Sequence, residues 1–256
     1  MRFILALLSL FWSLSAQADQ LKLDVCTSIY HMPPYYLTQG KTMPPKGQRG
    51  IFADALDETA DKLDLRINWY RMPWSRCLSG LKSGQFGTVL GVNPSPEREK
   101  YLRFPKNLTN ALDQERSMSP VHYNLFENAN NPIEWAGDRR FLREKFKLGA
   151  PQGFIVTETL KSQGLPISET LSPYDGFSKL SAGQIDGFVF AGKVADSLIE
   201  LVPDGTKQIR RLDPPIWTSY LYLPIQQDLY KAAPDLFETL WTHYAKNIRK
   251  RVEPHF

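Results

Sequence analysis

Residues 81–92 read LKSGQFGTVLGV, and about a hundred positions later residues 180–191 read LSAGQIDGFVFA. In both, a Leu closes a helix-like run, a Gly-Gln pair follows, and an apolar run rich in Val and Phe comes next. Helix, glycine cap and short buried strand, in that order, are the signals of one α/β unit. No Gly/Ser-rich linker separates the two occurrences. The chain is therefore predicted to form two similar α/β lobes facing each other across a cleft, not two tethered domains.

The first half supports that reading. Leu21, Leu23 and Val25 alternate with polar residues as a strand and lead into CTSIYHMPPYY, a loop of aromatics and prolines. After Gly50, a helix places Phe52, Leu56, Thr59, Ala60 and Leu63 on one face. Asp54, Asp57, Glu58 and Asp61 lie mostly away from it and are expected to be a solvated face, not catalytic acids. Leu65, Ile67 and Trp69 form a second strand, MPWSRCLSGLKSG a short helix ending at Gly84, and TVLGV a third strand. In the second half, KFKLGAPQGFIVTETLKSQG reads as strand, tight Pro-Gln-Gly turn and helix, capped at Gly164. Pro173 to Ala182 is a helix, Ile185 to Phe190 a buried strand, and Pro234 to Arg251 a long terminal helix.

MRFILALLSLFWSLSAQA carries one basic residue, an apolar stretch from Phe3 to Leu14 and an Ala16-Gln17-Ala18 site, the layout of a cleaved secretory signal. The apolar stretch is short for a membrane span. Cleavage after Ala18 removes 18 of 256 residues and leaves 238 for export, here read as export to the periplasm. The formal net charge of +4 falls to +3 without Arg2, and the charges are interspersed, which argues against a nucleic-acid surface. In an exported chain, Cys26 and Cys77 are expected to pair as a disulfide. His31, His122, His243 and His255 show no ligand spacing, so neither a metal nor another cofactor is expected.

PPYY, GIFADALDETADKL, PWSRCLSGLKSGQFG, NPSPERE, LGAPQGF and KLSAGQIDGFVF, in this order, resemble the family 3 periplasmic solute-binding proteins, the polar-amino-acid-binding components of ABC importers. The resemblance spans about residues 21 to 250. It implies a two-lobed α/β type II periplasmic-binding fold, each lobe a sheet covered by helices. Lobe 1 would comprise 19–122 and 222–256 and lobe 2 residues 123–221, with crossings near His122–Phe126 and Trp217–Leu223. The implied partners are a small solute and an ABC permease or membrane sensor, and the implied state is a monomer.

The same resemblance implies the site. Arg98 matches the family's carboxylate-holding Arg, a role that suits a guanidinium fork. Asn93 falls where a Ser or Thr helps hold that carboxylate. Tyr30 matches a ring that stacks on the ligand, Trp74 the residue across the pocket, and Tyr35 the cleft rim. Arg76 is a second anion-binding candidate, Phe190 a further stacking surface, and Gln152 and Gly153 lie at a helix N-terminus suited to anions.

Two positions depart from the family pattern. Ala191 and Gly192 stand where amino-acid binders carry the acid that holds the α-amino group. Phe154 and Ile155 follow Gly153 where a hydroxyl is usual. A buried ammonium without a counter-charge costs several kcal/mol, so a carboxylate lacking the amine, or a larger solute stacking on Tyr30, Trp74 and Phe190, is a comparable expectation to an amino acid. Two other readings are a module that has lost amino-acid binding and a dehydratase-like enzyme on the same fold. The enzyme requires an acid or base aimed into the cleft, and Glu97 and Glu158 each have an ordinary helix-start explanation. A non-enzymatic binding protein is the expected function.

Overall fold

The computed structural model describes residues 21–37, 40–138, 142 and 146–252; the expected signal peptide and His255 lie outside them. Three parallel strands, β1 (Lys22–Ser28), β2 (Arg66–Met72) and β3 (Thr88–Val89), form a sheet of order β2-β1-β3. Helices α1 (Ile51–Lys62) and α2 (Trp74–Lys82) connect them, which is the expected β-α-β-α-β run. The alternation of Leu23 and Val25 buries both completely.

Helix α1 corrects one expectation. Asp54 and Asp57 are buried, at 8% and 5% exposure. Asp54 accepts the backbone N–H groups of Gly47, Arg49 and Gly50, and so fastens the incoming loop to the first turn. Asp57 accepts from the Arg49 guanidinium and from Trp69 Nε1 at 2.9 Å. The two acids face a loop that returns over the helix, which periodicity cannot foresee.

The third strand is shorter than TVLGV suggests. Gly91 adopts φ +73°, which ends the extended run and turns the chain. Val92 then bridges Tyr222, and Asn93 follows it into the cleft. Beyond it come α3 (Pro96–Glu99), capped by Ser95, and β4 (Leu102–Arg103).

The second lobe is a five-stranded sheet of order β7-β6-β8-β5-β9, built from β5 (Ser119–Asn128), β6 (Leu148–Pro151), β7 (Ile167–Thr170), β8 (Gly187–Ala191) and β9 (Ile209–Leu221). Strands β6, β7 and β8 are parallel, with α4 (Ile155–Ser162) and α5 (Pro173–Ser181) between them. Two shorter helices, α6 (Gly192–Ile199) and α7 (Gly205–Gln208), lead from β8 to β9. Strand β5 runs antiparallel to both β8 and β9.

The two phrases in the sequence do form the same structure. At the end of α2, Gly84 is left-handed at φ +77°, its N–H donates to Leu81 O, and Gln85 N–H donates to Gly80 O. At the end of α5, Gly183 at φ +67° donates to Leu180 O, and Gln184 donates to Lys179 O. Both are Schellman caps, which need a residue that tolerates positive φ and which turn the chain into the next strand.

Strands β5 and β9 cross between the lobes side by side, paired from Ser119/Leu221 to Asn128/Ile209 with an irregularity between Tyr123 and Leu125. The returning chain adds β10 (Ile225–Gln226) to β4, then α8 (Gln227–Ala232) and α9 (Pro234–Val252). Helix α9 packs on α1, where Tyr244 donates its hydroxyl to Phe52 O at 3.0 Å. Cys26 and Cys77 are bonded, joining β1 to α2 as expected. Both are fully buried in a cluster with Trp74, Phe86, Phe104 and Tyr222.

Candidate functional site

A cavity of about 360 Å³ lies between the sheets, toward the small end of the ~300–1,000 Å³ usual for ligand pockets. Residues from the first lobe (Met32, Tyr35, Tyr36, Phe52, Trp74, Gly91, Asn93, Arg98), from the crossing strands (Val121 to Asn124, Arg211, Asp213, Leu221) and from the second lobe (Phe154, Ile155, Phe190 to Val194) line it.

Ser95 caps α3 by accepting the Arg98 N–H, and the short helix directs the Arg98 side chain inward. Arg98 is only 4% exposed. Its Nη1 donates to Asn93 O at 3.0 Å and its Nη2 to Glu158 Oε1 at 3.3 Å, on α4 of the opposite lobe. The Asn93 side chain is itself held at both ends, since its Nδ2 donates to Tyr220 O at 3.1 Å and its Oδ1 accepts from Tyr123 Oη at 2.9 Å. Burial raises the Tyr123 hydroxyl pKa far above its ordinary value, so it remains a donor. A guanidinium fixed at the wall of an aromatic cavity can hold a carboxylate through charge-assisted hydrogen bonds.

The apolar walls come from both sides. Tyr35 stacks on Phe52 at 4.4 Å between ring centroids, and Trp74 meets Phe154 at 5.7 Å across the cleft. Phe154 in turn contacts Phe190 at 5.8 Å. Trp74 also donates its Nε1–H to Gly153 O at 3.0 Å. Arg98–Glu158 and the bond from Tyr30 Oη to Leu171 O at 3.1 Å are further polar contacts that join the lobes.

Of the residues expected from sequence, Arg98, Asn93, Trp74, Tyr35 and Phe190 line the cavity. Tyr30, Arg76, Gln152 and Gly153 do not. Tyr30 is turned to Leu171 at the cleft edge. Arg76 is exposed two residues along α2 from Trp74, a rotation of about 200° that carries it to the opposite side. Gln152 is exposed and its N–H is taken by Thr170 O, while Gly153 meets Trp74 through its carbonyl.

The sequence reading missed a second polar cluster. Lys193, Arg211, Asp213 and His122 line the cavity and are exposed, so they form its wet side. Asn124 ties it together, donating through Nδ2 to Leu212 O at 3.0 Å and to Asp213 Oδ1 at 3.1 Å. Arg211 reaches Asp196 at 3.4 Å. Desolvation lowers the Lys193 pKa from its ordinary value. The side-chain-free position at Gly192 is enforced, since a Cβ there would lie 2.5 Å from Asn124 Oδ1. An acid at 192 would have to displace an amide already held by two acceptors. Lys193 stood in the sequence directly after Ala191-Gly192, and its charge was the one available signal.

Residues 23–118 match the family model of the bacterial extracellular solute-binding proteins, family 3. No curated protein matches the sequence. Among solved structures, a histidine kinase sensor domain with similarity to periplasmic binding proteins superposes with a TM-score of 0.70 at 18% identity, covering 92% of this chain and 93% of that one. An amino acid ABC transporter substrate-binding protein from Streptococcus pneumoniae, bound to L-arginine, gives 0.66 at 17% identity over 91% and 90% of the two chains. The arginine-, lysine-, histidine-binding protein from Geobacillus stearothermophilus gives 0.66 at 14% identity over 91% of each. Residues 23–118 are thus similar in sequence to family 3 of the bacterial extracellular solute-binding proteins, and the whole chain has the two-lobed fold of type II periplasmic-binding proteins.

Proposed function

We propose that the protein captures a small, carboxylate-bearing solute between its lobes in the periplasm and delivers it to an ABC importer or presents it to a sensor. Lobe 1 is assigned to 19–122 and 222–256 and lobe 2 to 123–221, with paired β5 and β9 as the hinge about which they close. Removal of residues 1–18 on export yields the working form, a monomer. Binding without chemical conversion is the assigned role, in keeping with a matched family and structural neighbours that are binding proteins.

The observation that carries this reading is Arg98: a guanidinium 4% exposed, set by Asn93 at the wall of an inter-lobe cavity whose other walls are aromatic. Trp74, Tyr35 and Phe190 are assigned to the body of the solute and Arg98 to its carboxylate. Both recipients are represented among proteins of this fold, one neighbour being a transporter component and another a kinase sensor domain.

A thermal-shift screen of the mature protein against amino acids, dicarboxylates, aromatic acids and small peptides tests the proposal. A solute at a hundred times its dissociation constant should stabilise by about 2.7 kcal/mol. No shift with any class would overturn it.

A further inference from the structure

The cavity carries positive charge at two places. Arg98 is buried on the first-lobe wall, and Lys193 and Arg211 stand on the wall formed by α6 and β9. Asp213 is the single carboxylate among the described lining residues, and Asn124 donates to it. The acids that pair with Arg98 and Arg211 are peripheral. Glu158 opposite Arg98 has 53% of its side chain exposed and Asp196 opposite Arg211 has 61%. Water screens such partners, so they offset the field inside the cavity only in part. Trp74, Phe154 and Phe190 line the same cavity and supply its apolar wall.

We infer that the cleft is selective for a dianionic solute, a small dicarboxylate with an apolar body and no ammonium group, one carboxylate on Arg98 and the other on Lys193 and Arg211. This deepens the solute-binding reading and rests on it. Ala191 and Gly192 stand where the resemblance leads one to expect an acid for an α-amino group, and Lys193 follows them. Gly192 has no room for a side chain beside Asn124, and the next residue brings a cation to the cavity. An ammonium at that wall would meet Lys193 and Arg211 against the one carboxylate of Asp213, which already accepts from Asn124, so the balance of charge there disfavours an ammonium and favours a carboxylate. Selectivity thus comes from what the wall repels as much as from what it attracts.

Calorimetric titration of the mature protein with matched trios separates the outcomes: adipate, hexanoate and 6-aminohexanoate, and succinate, butyrate and 4-aminobutyrate, with L-glutamate and L-arginine beside them. Within at least one trio the dicarboxylate should bind at least tenfold more tightly than the monocarboxylate, and the amino acid of the trio most weakly. Lys193→Gln and Arg211→Gln should each narrow the dicarboxylate-to-monocarboxylate ratio at least threefold, and Lys193→Glu should reverse the order of dicarboxylate and ω-amino acid. Circular dichroism melts of each variant establish that the fold is retained. Preferential binding of L-glutamate, L-arginine or an ω-amino acid would overturn the dianion assignment while leaving the solute-binding role standing. A ratio unchanged in both Gln variants would overturn it as well. Silence from every compound here and in the broader screen would overturn both.

Discussion

Arg98 on α3 and Glu158 on α4 meet across the cleft at 3.3 Å, one side chain 5% exposed and the other 53%. The pair spans both lobes, and Glu158 already accepts from one Nη of the guanidinium that we assign to the solute's carboxylate. A half-exposed partner contributes little to stability, about 0–1 kcal/mol, but its negative charge opposes an anionic ligand.

Glu158→Gln should therefore tighten binding of an anionic solute roughly two- to fivefold, the equivalent of under ~1 kcal/mol, and change the unfolding free energy by no more than that. Calorimetric titration with the solute found in the screen measures the first and denaturant unfolding the second. Weaker binding in the Gln variant would show that Glu158 orients Arg98 instead of competing for it.

Arg98→Ala should weaken the same solute by about 2–5 kcal/mol, the range for truncating one side of a buried charge pair. Its other partners are a backbone carbonyl and a half-exposed acid, which water can serve, so the fold should survive. Arg98→Lys should restore only part of the affinity, because an ammonium cannot reproduce a two-pronged contact. Undiminished affinity in the Ala variant would remove Arg98 from the site.

Trp74→Phe keeps an aromatic wall but deletes the Nε1–H bond to Gly153 O that joins the lobes. The expected cost is roughly 0.5–1.5 kcal/mol in ligand affinity, the worth of one neutral hydrogen bond, with a larger radius of gyration in the ligand-free protein by small-angle scattering. Equal affinity and an equal radius would show that this bond is not part of closure.

The Cys26–Cys77 bond encloses a sequence separation of 51 residues and lies at 0% exposure. Replacing both with Ala should lower the unfolding free energy by about 2–4 kcal/mol, measured by guanidinium denaturation. In the unaltered protein, dithiothreitol should release thiols for alkylation only when denaturant is also present. Ready alkylation of the folded chain would contradict the burial.

Local signals carried much of this structure. Gly84 and Gly183 announced two caps, and the periodicity of Phe52, Leu56 and Ala60 gave α1 and its buried face. That Arg98 and Trp74 would lie on the cavity wall was legible because their surrounding motifs are contiguous. Contacts made by chain return were not. Asp57 is buried only because Arg49 and Trp69 close over it, and Lys193 and Asp213 line the cavity from two separate elements, while Glu158, expected near the cleft, could not be seen in sequence as the partner of Arg98. Arg76 was the avoidable error of placement, since a helix that turns Trp74 inward must turn a residue two positions on outward.

Asn93 gives the cleft a thermodynamic reciprocity. Its side chain bonds Tyr123 on one crossing strand and Tyr220 on the other, while its carbonyl holds the Arg98 guanidinium. The group assigned to the solute and the two strands assigned as the hinge thus share one residue. Any macromolecule that grips both lobes and fixes that angle must alter solute affinity by some factor, and occupancy of the cleft must alter affinity for that macromolecule by the same factor.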